Sequence, residues 1–425
     1  MTDYLPATLR FLQASRQCEL NSLRYLLGSG ELVGKVSILI HHLQRERGAV
    51  HLYLCSEGPQ AATELRDREQ DALGSQQDVI QFLENTQIPD PSQPQASRLF
   101  SSAARVIYAL GVLQDTRQQV TVRAIPLVNA AEGFNDAIRH LLSLVFTVSD
   151  TPADPVISQA LIALFSFMQG KELAGQERAI GARIFSQHTP QTDHQRLAGK
   201  IIDLIERQEQ HFATFTEFSD PLNRQQWLQM ATDSEFERLR RVACTRRSVS
   251  DHDASQYWFR LATRRIDDMK RQEDNLQRSL MQLCRERIGA AEQACQRQQA
   301  DIDTLKNALT DSDSGFSVFM GDGQQVSGWL PGEGLQPRLG QSLLSLLGQQ
   351  SRRLDAQNQE LSGLREALQQ RKTVDSAKKL LMQHRQLSED DAYKTLRQMA
   401  MDQNKKIAEI ATALLSVAGV FADRS

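Results

Sequence analysis

Long apolar runs are missing from this chain of 425 residues. The two best membrane candidates, Leu141–Val148 and Val156–Met168, fall far short of the ~20 residues a span requires. Both read as buried core helices, which disfavours a membrane sensor. Cysteine is scarce: Cys18, Cys55, Cys244, Cys284 and Cys295 form no CxxC pair and no even framework, as expected of reduced thiols in a cytoplasmic protein. The opening MTDYLPATLR lacks the basic, apolar and small-residue order of a signal peptide. Proline (12) and glycine (23) rarely punctuate the chain, and aromatics make up only 6%. Beside abundant Gln, Leu, Arg and Ala, that scarcity predicts long helices and argues against an all-β protein.

Signatures of catalysis are absent as well. The chain has no P-loop, no GxSxG, no HExxH and no glycine-rich dinucleotide turn, so it reads as a non-enzyme with no cofactor. His41-His42 and His51 invite a metal reading, but adjacent histidines diverge by about 100° on a helix. No cysteine or carboxylate completes a ligand set there, so no metal site is expected. A phosphotransfer role for His140 or His211 is equally disfavoured.

What the chain does contain is helical periodicity. It dominates as far as Asp311, in segments near Glu31–Leu54, Gln60–Asn85, Ala96–Gln118, Pro126–Val148, Pro155–Gln187, Thr192–Phe218, Asp233–Arg247 and Gln256–Leu309. Short breaks such as Asp90-Pro91 and Thr151-Pro152 join them, which predicts an all-α body of two antiparallel, four-helix-type bundles over residues 1–310. Inside this body lies an internal echo. Gln44-Arg45-Glu46-Arg47-Gly48 is answered 131 residues later by Gly175-Gln176-Glu177-Arg178-Ala179, each midway along an amphipathic segment.

Residues 311–337 are rich in Gly, Ser and Asp and read as a linker. Helix resumes over 338–370, where Leu347, Leu354, Leu361 and Leu368 recur every seven residues. That spacing is the seam of a short dimeric coiled coil, weakened by Ser351, Asn358 and Arg365 at the complementary positions, and it makes the chain a homodimer candidate. The net charge of −3 conceals a split. Residues 338–425 carry 14 Lys and Arg against 10 Asp and Glu, a balance of +4, leaving −7 on the rest. An acidic body carries a small basic tail.

Residues 364–420 form a third unit. Ser388 and Asn404 sit where helix caps belong. Val374, Ala377, Leu380, Leu381 and Met382, then Ala392, Leu396, Met399 and Ala400, then Ile407, Ile410, Ala411 and Leu414 would close a three-helix bundle. Ala377-Lys378, Leu381-Met382, Asp391-Ala392, Leu396-Arg397, Ala400-Met401 and Ile407-Ala408 follow one another in the order and spacing of an ANTAR domain, which this segment resembles. Two positions depart from that pattern: Lys379 replaces a common Gly, and Asn404 a common Ser. The resemblance implies binding to paired RNA stem-loops in a leader transcript, with suppression of a downstream terminator. It places Lys378, Arg397, Lys405 and Lys406 at or beside the family's basic positions, with Lys379 adding a phosphate contact and Gln398 reading a base edge. The alternative is a solvated basic face on a small bundle.

The helical body, with its two Arg-bearing motifs and Trp258 ahead of Arg264-Arg265-Ile266-Asp267, resembles the NIT domain, a nitrate- and nitrite-sensing module. A guanidinium fork holds two oxygens of a planar anion at once. Arg47 and Arg178, on the echoed motifs, are the first candidates for a nitrate or nitrite site. Arg238 is third, because a capping-box pattern at Ser234 and Glu237 would place it in the first turn of a helix. Against this stands the reading in which each arginine pairs with a nearby carboxylate, such as Glu46 or Glu177, on a wet surface. The function implied is a homodimeric antiterminator in which anion binding between the bundles frees the tail to grip leader RNA. A DNA-binding helical regulator, and a body that docks a protein partner without any small ligand, are the alternatives.

Overall fold

The computed structural model describes residues 5–55, 59–85, 94–149, 154–186, 191–230, 233–245 and 254–310, together with 352, 373–374, 377, 380–381, 389–402 and 407–422. Among these residues there are helices and short turns and no strand. The helices are α1 (Leu5–Cys55), α2 (Pro59–Asn85), α3 (Pro94–Thr121), α4 (Leu127–Ser149), α5 (Pro155–Ile184), α6 (Gln191–Phe218), α7 (Pro221–Gln229), α8 (Ser234–Cys244), α9 (Ala254–Thr310), α10 (Glu389–Asp402) and α11 (Ile407–Ala422). The chain divides into two compact units, Met1–Gln349 and Gln350–Ser425.

Two very long helices, α1 and α9, organise the first unit. They run antiparallel, as the pairs Arg24–Glu292 (2.8 Å) and Ser37–Glu273 show. The expectation for α1 began only at Glu31, yet the helix starts at Leu5. Leu20, Leu23 and Leu26 form a buried stripe that continues it, and Gly30 is no break. A Cβ on Gly30 would come within 2.6 Å of Met281 on α9, so the glycine permits close packing. The C-terminal half of α1 stays against α9, with Gly48 and His51 facing Phe259, and also packs with α2, α3 and α4. His42 Nδ1 meets Ser75 Oγ at 3.0 Å on α2, and Tyr53 Oη donates to the Thr121 carbonyl of α3 at 3.2 Å. This is the first bundle.

The second bundle is built around α5, with α6, α8 and α9. Asp154 caps α5, its carboxylate accepting from the amides of Val156 (2.9 Å) and Ile157 (3.1 Å), and Pro155 fills the first turn. Helix α5 is buried on nearly every side, the condition of a helix enclosed by neighbours. Helix α7 was not expected from the sequence; Asp220 caps it and Pro221 opens it. A large apolar core runs through both bundles, and a smaller one gathers around the fully buried Trp258, which stacks on Phe236 at 5.0 Å. Beside these cores, α1, α5 and α9 carry a layer of buried polar side chains, among them Arg47, Glu172, Arg178 and Glu273.

In the second unit, Ala377 and Leu381 close against Ala392, Leu396 and Ala400 of α10 and Ile410 and Ala411 of α11. These are apolar positions expected to close the bundle. The linker at 311–337 and the leucines of the coiled-coil seam lie outside the described residues.

Candidate anion site between α1 and α5

The echoed motifs sit in the polar layer, on facing stretches of α1 and α5. Within each motif the glutamate and the arginine point to different bundles. Glu46 stays in the first bundle, where Arg117 of α3 binds it through Nε (2.7 Å) and Nη2 (2.8 Å). Glu177 stays in the second, held by Arg240 of α8 at 2.8 Å, Gln208 of α6 at 2.6 Å and Arg265 of α9 at 3.5 Å. Each arginine instead crosses the gap. Arg47 reaches Glu172 of α5 with both fork nitrogens, at 2.7 and 3.3 Å, and also donates to Asn135 of α4. Arg178 reaches back to α1 and donates to the main-chain carbonyl of Gln44 at 2.8 Å.

Glycine makes this exchange possible. A Cβ on Gly48 would come within 2.8 Å of Arg178 Nη2, and one on Gly175 within 2.6 Å of Arg47 Nη2. Each guanidinium therefore lies on the bare backbone of the opposite helix, beside the glycine of the opposite motif. Without Gly48, the Gln44 carbonyl would be screened from Arg178.

The two arginines differ in what neutralises them. Both are almost fully buried, at 4% and 3% exposure. Arg47 forms an ion pair with Glu172, whose carboxylate also accepts from Gln44 Nε2 (2.8 Å) and Gln176 Nε2 (3.0 Å). Among the described residues no carboxylate lies at ion-pair distance from Arg178, although Asp267 and Glu172 act on it from farther away. Its other partners are the Thr263 hydroxyl at 3.0 Å and the face of Phe259, 4.7 Å from the guanidinium carbon. Burial, and then the charge of Arg47, pull the Arg178 pKa down to about 10. A buried cation with only neutral partners is costly, and an incoming anion relieves that cost.

His51 completes the wall, its ring stacked at 6.4 Å on Phe259. Burial, then Arg178 and Arg183, lower its pKa to about 4, so it is neutral near neutral pH and adds no charge.

Sequence reasoning thus placed Arg47 and Arg178 together. The paired carboxylates came out differently: Glu46 and Glu177 bind other arginines inside their own bundles, and neither arginine lies on a wet surface. Arg238 stands apart from this cluster. Asp233 caps α8, accepting from the Glu235 amide at 2.9 Å, one residue ahead of the expected Ser234. Arg238 consequently falls beyond the first turn, exposed and paired with Glu235 at 2.9 Å. Glu172, Gln44, Asn135, Thr263, Phe259 and His51 were not foreseen. Only Gln44 lay inside an echoed motif; the rest belong to other turns or other helices and carry no local signature.

Of the RNA-binding candidates, Arg397 and Gln398 are exposed on α10, and Gln398 donates to Asp402 at 2.8 Å. Lys378, Lys379, Lys405 and Lys406 lie outside the described residues.

The described residues thus hold a buried pair of guanidinium forks between α1 and α5, and a small helical unit follows in the sequence. The chain belongs to the NIT family, described as nitrate and nitrite sensing, whose profile matches residues 39–281, and an ANTAR domain profile matches residues 362–415. A nitrate regulatory protein of Klebsiella oxytoca is 32% identical over 420 residues, covering 98% of this chain and 97% of that one. The solved structure of the NasR transcription antiterminator matches with a TM-score of 0.58 at 30% identity, covering 98% of this chain and all of that one. Among the described residues no helix is long and apolar enough to cross a membrane.

Proposed function

We propose that the chain is a nitrate- or nitrite-responsive transcription antitermination regulator, with the anion received by Arg47 and Arg178 and leader-RNA stem-loops bound by the C-terminal unit. The observation that carries this reading is Arg178: a buried guanidinium with no carboxylate at ion-pair distance among the described residues, next to a second guanidinium. A planar monoanion with two or three accepting oxygens fits between such forks. Arg238 serves at most as an outer approach residue. Domain bounds of 1–310 for the sensor, 311–337 for the linker, 338–370 for the coiled coil and 364–420 for the RNA-binding unit complete the proposal, in a cytoplasmic homodimer.

In this mechanism the protein exchanges between a state that withholds the basic face of the tail and one that presents it. Arg47 and Arg178 repel one another until an anion arrives, so the anion favours the arrangement in which both forks close on it. A tenfold response needs about 1.4 kcal/mol of differential affinity between the two states. Lys378, Lys379, Arg397, Lys405 and Lys406 then bind phosphates, and Gln398 reads a base edge in an unstacked loop.

Calorimetric titration of the full chain with nitrate tests the sensor. Wild-type protein is expected to bind, and the double variant R47Q/R178Q to give no heat while keeping its helical content. A double variant that binds and responds normally removes the site assignment. For the tail, duplex DNA of equal charge should fail to displace a leader hairpin.

A further inference from the structure

The NIT family name specifies nitrate and nitrite but says nothing of how this chain excludes more highly charged oxyanions. We propose that Glu172 makes the site selective for singly charged anions by setting its buried charge to plus one. The proposal rests on the reading that the anion binds at Arg47 and Arg178.

The charges at the centre of the site are few. Arg47 and Arg178 contribute two positive charges and Glu172 one negative. Neighbouring buried charges are committed elsewhere: Glu46 to Arg117, Glu177 to Arg240 and Arg265, and Lys171 to Glu273 at 2.7 Å. At the edge, Arg45 and Asp267 act on Arg178 with opposite signs. One incoming negative charge therefore neutralises the centre. A dianion would leave a net negative charge in a site closed to water, which is unfavourable whatever its shape.

Glu172 is held firmly enough for this role. Both oxygens are engaged: one accepts from Arg47 Nη1 and Gln176, the other from Arg47 Nη2 and Gln44. These donors come from α1 and from the next turn of α5, so the carboxylate is fixed as an internal anion on the Arg47 fork. Arg178, which has no carboxylate at ion-pair distance among the described residues, is left for the ligand.

The test separates charge from shape by comparing perchlorate with sulfate, two tetrahedral oxyanions that differ by one charge. Full-length wild type, E172Q and E172D are titrated with nitrate, perchlorate and sulfate at fixed ionic strength, by calorimetry and by melting shift. Wild type is expected to bind nitrate and to prefer perchlorate over sulfate. In E172Q, which keeps the shape and removes the charge, the sulfate-to-perchlorate affinity ratio should rise at least tenfold and nitrate should tighten. E172D, which keeps the charge, should retain the wild-type ratio. An unchanged ratio in E172Q, including exclusion of both tetrahedral anions by every variant, overturns the proposal, as does a raised ratio in E172D. If E172Q does not fold, E172A, which also removes the charge, takes its place with the same expected rise in the ratio and the same overturning result. Absence of nitrate binding by the wild type would instead remove the underlying sensor reading, and this proposal with it.

Discussion

Glu46-Arg47 and Glu177-Arg178 are the same dipeptide at matching levels of α1 and α5, yet they are neutralised differently. Glu46 is answered by a single arginine, Arg117, and burial raises its pKa despite that partner. Glu177 is answered by two, Arg240 and Arg265. Arg47 is already satisfied by Glu172, whereas Arg178 has only a carbonyl, a hydroxyl and a ring. The lesson is a division of labour inside one dipeptide: the glutamate fastens its own bundle, and the arginine serves the gap. The asymmetry leaves one fork closed by a carboxylate and the other, among the described residues, with neutral partners only at contact distance.

The largest way to break this comparison is to remove the glutamates. E177Q takes the ion pair from Arg265, leaves Arg240 with only Glu237 at 3.4 Å, and should destabilise the protein by about 3–5 kcal/mol, the usual cost of breaking a buried ion pair. E46Q should cost less, because it strands one arginine and burial already opposes the charge on Glu46. Denaturant unfolding of both variants ranks them, and equal losses would contradict the asymmetry.

Acid should come next. His51 lies one turn beyond Arg47, while Ala182 holds the equivalent place after Arg178, so only the first motif brings a titrating group. The folded pKa of His51 is about 4, and that of His41, lowered by burial and then by Lys171 and Lys270, about 2, against an ordinary 6.5. The unfolded chain therefore takes up protons first. Stability is full above pH 6.5 and falls as pH drops toward 4 for His51, and further for His41. By pH 5 the loss is on the order of 2 kcal/mol for each histidine. Melting followed from pH 7.5 to 5 should show a flatter profile in H51Q than in wild type.

Smaller again are the glycines. G48A and G175A push the opposite guanidinium aside while gaining helix propensity of about 1 kcal/mol, so stability should change little. Nitrate affinity, read by calorimetry, should fall about tenfold in each variant, as expected if a shift of 1.4 kcal/mol at the fork is lost. The smallest effect belongs to Arg238, whose pairing is exposed and so weak. R238A should weaken nitrate binding no more than about threefold, or about 0.65 kcal/mol.

Much of this arrangement was legible beforehand. The echo drew attention to Arg47 and Arg178 because the two motifs recur midway along amphipathic segments, and the apolar spacing of residues 374–414 outlined the small bundle. The start of α1 was missed because Gly28 and Gly30 look like a break, whereas at Gly30 the neighbouring Met281 needs the space a side chain would fill. The cap of α8 shifted by one residue because Asp233 and Ser234 are both competent caps, and only the backbone path chooses between them.

By itself, then, the sequence determined the helices, the separation into an acidic body and a basic tail, and the pair of motifs that matter. These are properties of composition and of spacing along one helix, where the neighbours of a residue three or four positions away are set by the helix geometry itself. Tertiary structure alone decided which carboxylate answers which arginine. That choice depends on how α1 passes α5 and how closely two glycines let their backbones approach, and neither is encoded in any single segment. The same packing that gave Arg47 a carboxylate partner in Glu172 gave Arg178, among the described residues, only neutral ones at contact distance.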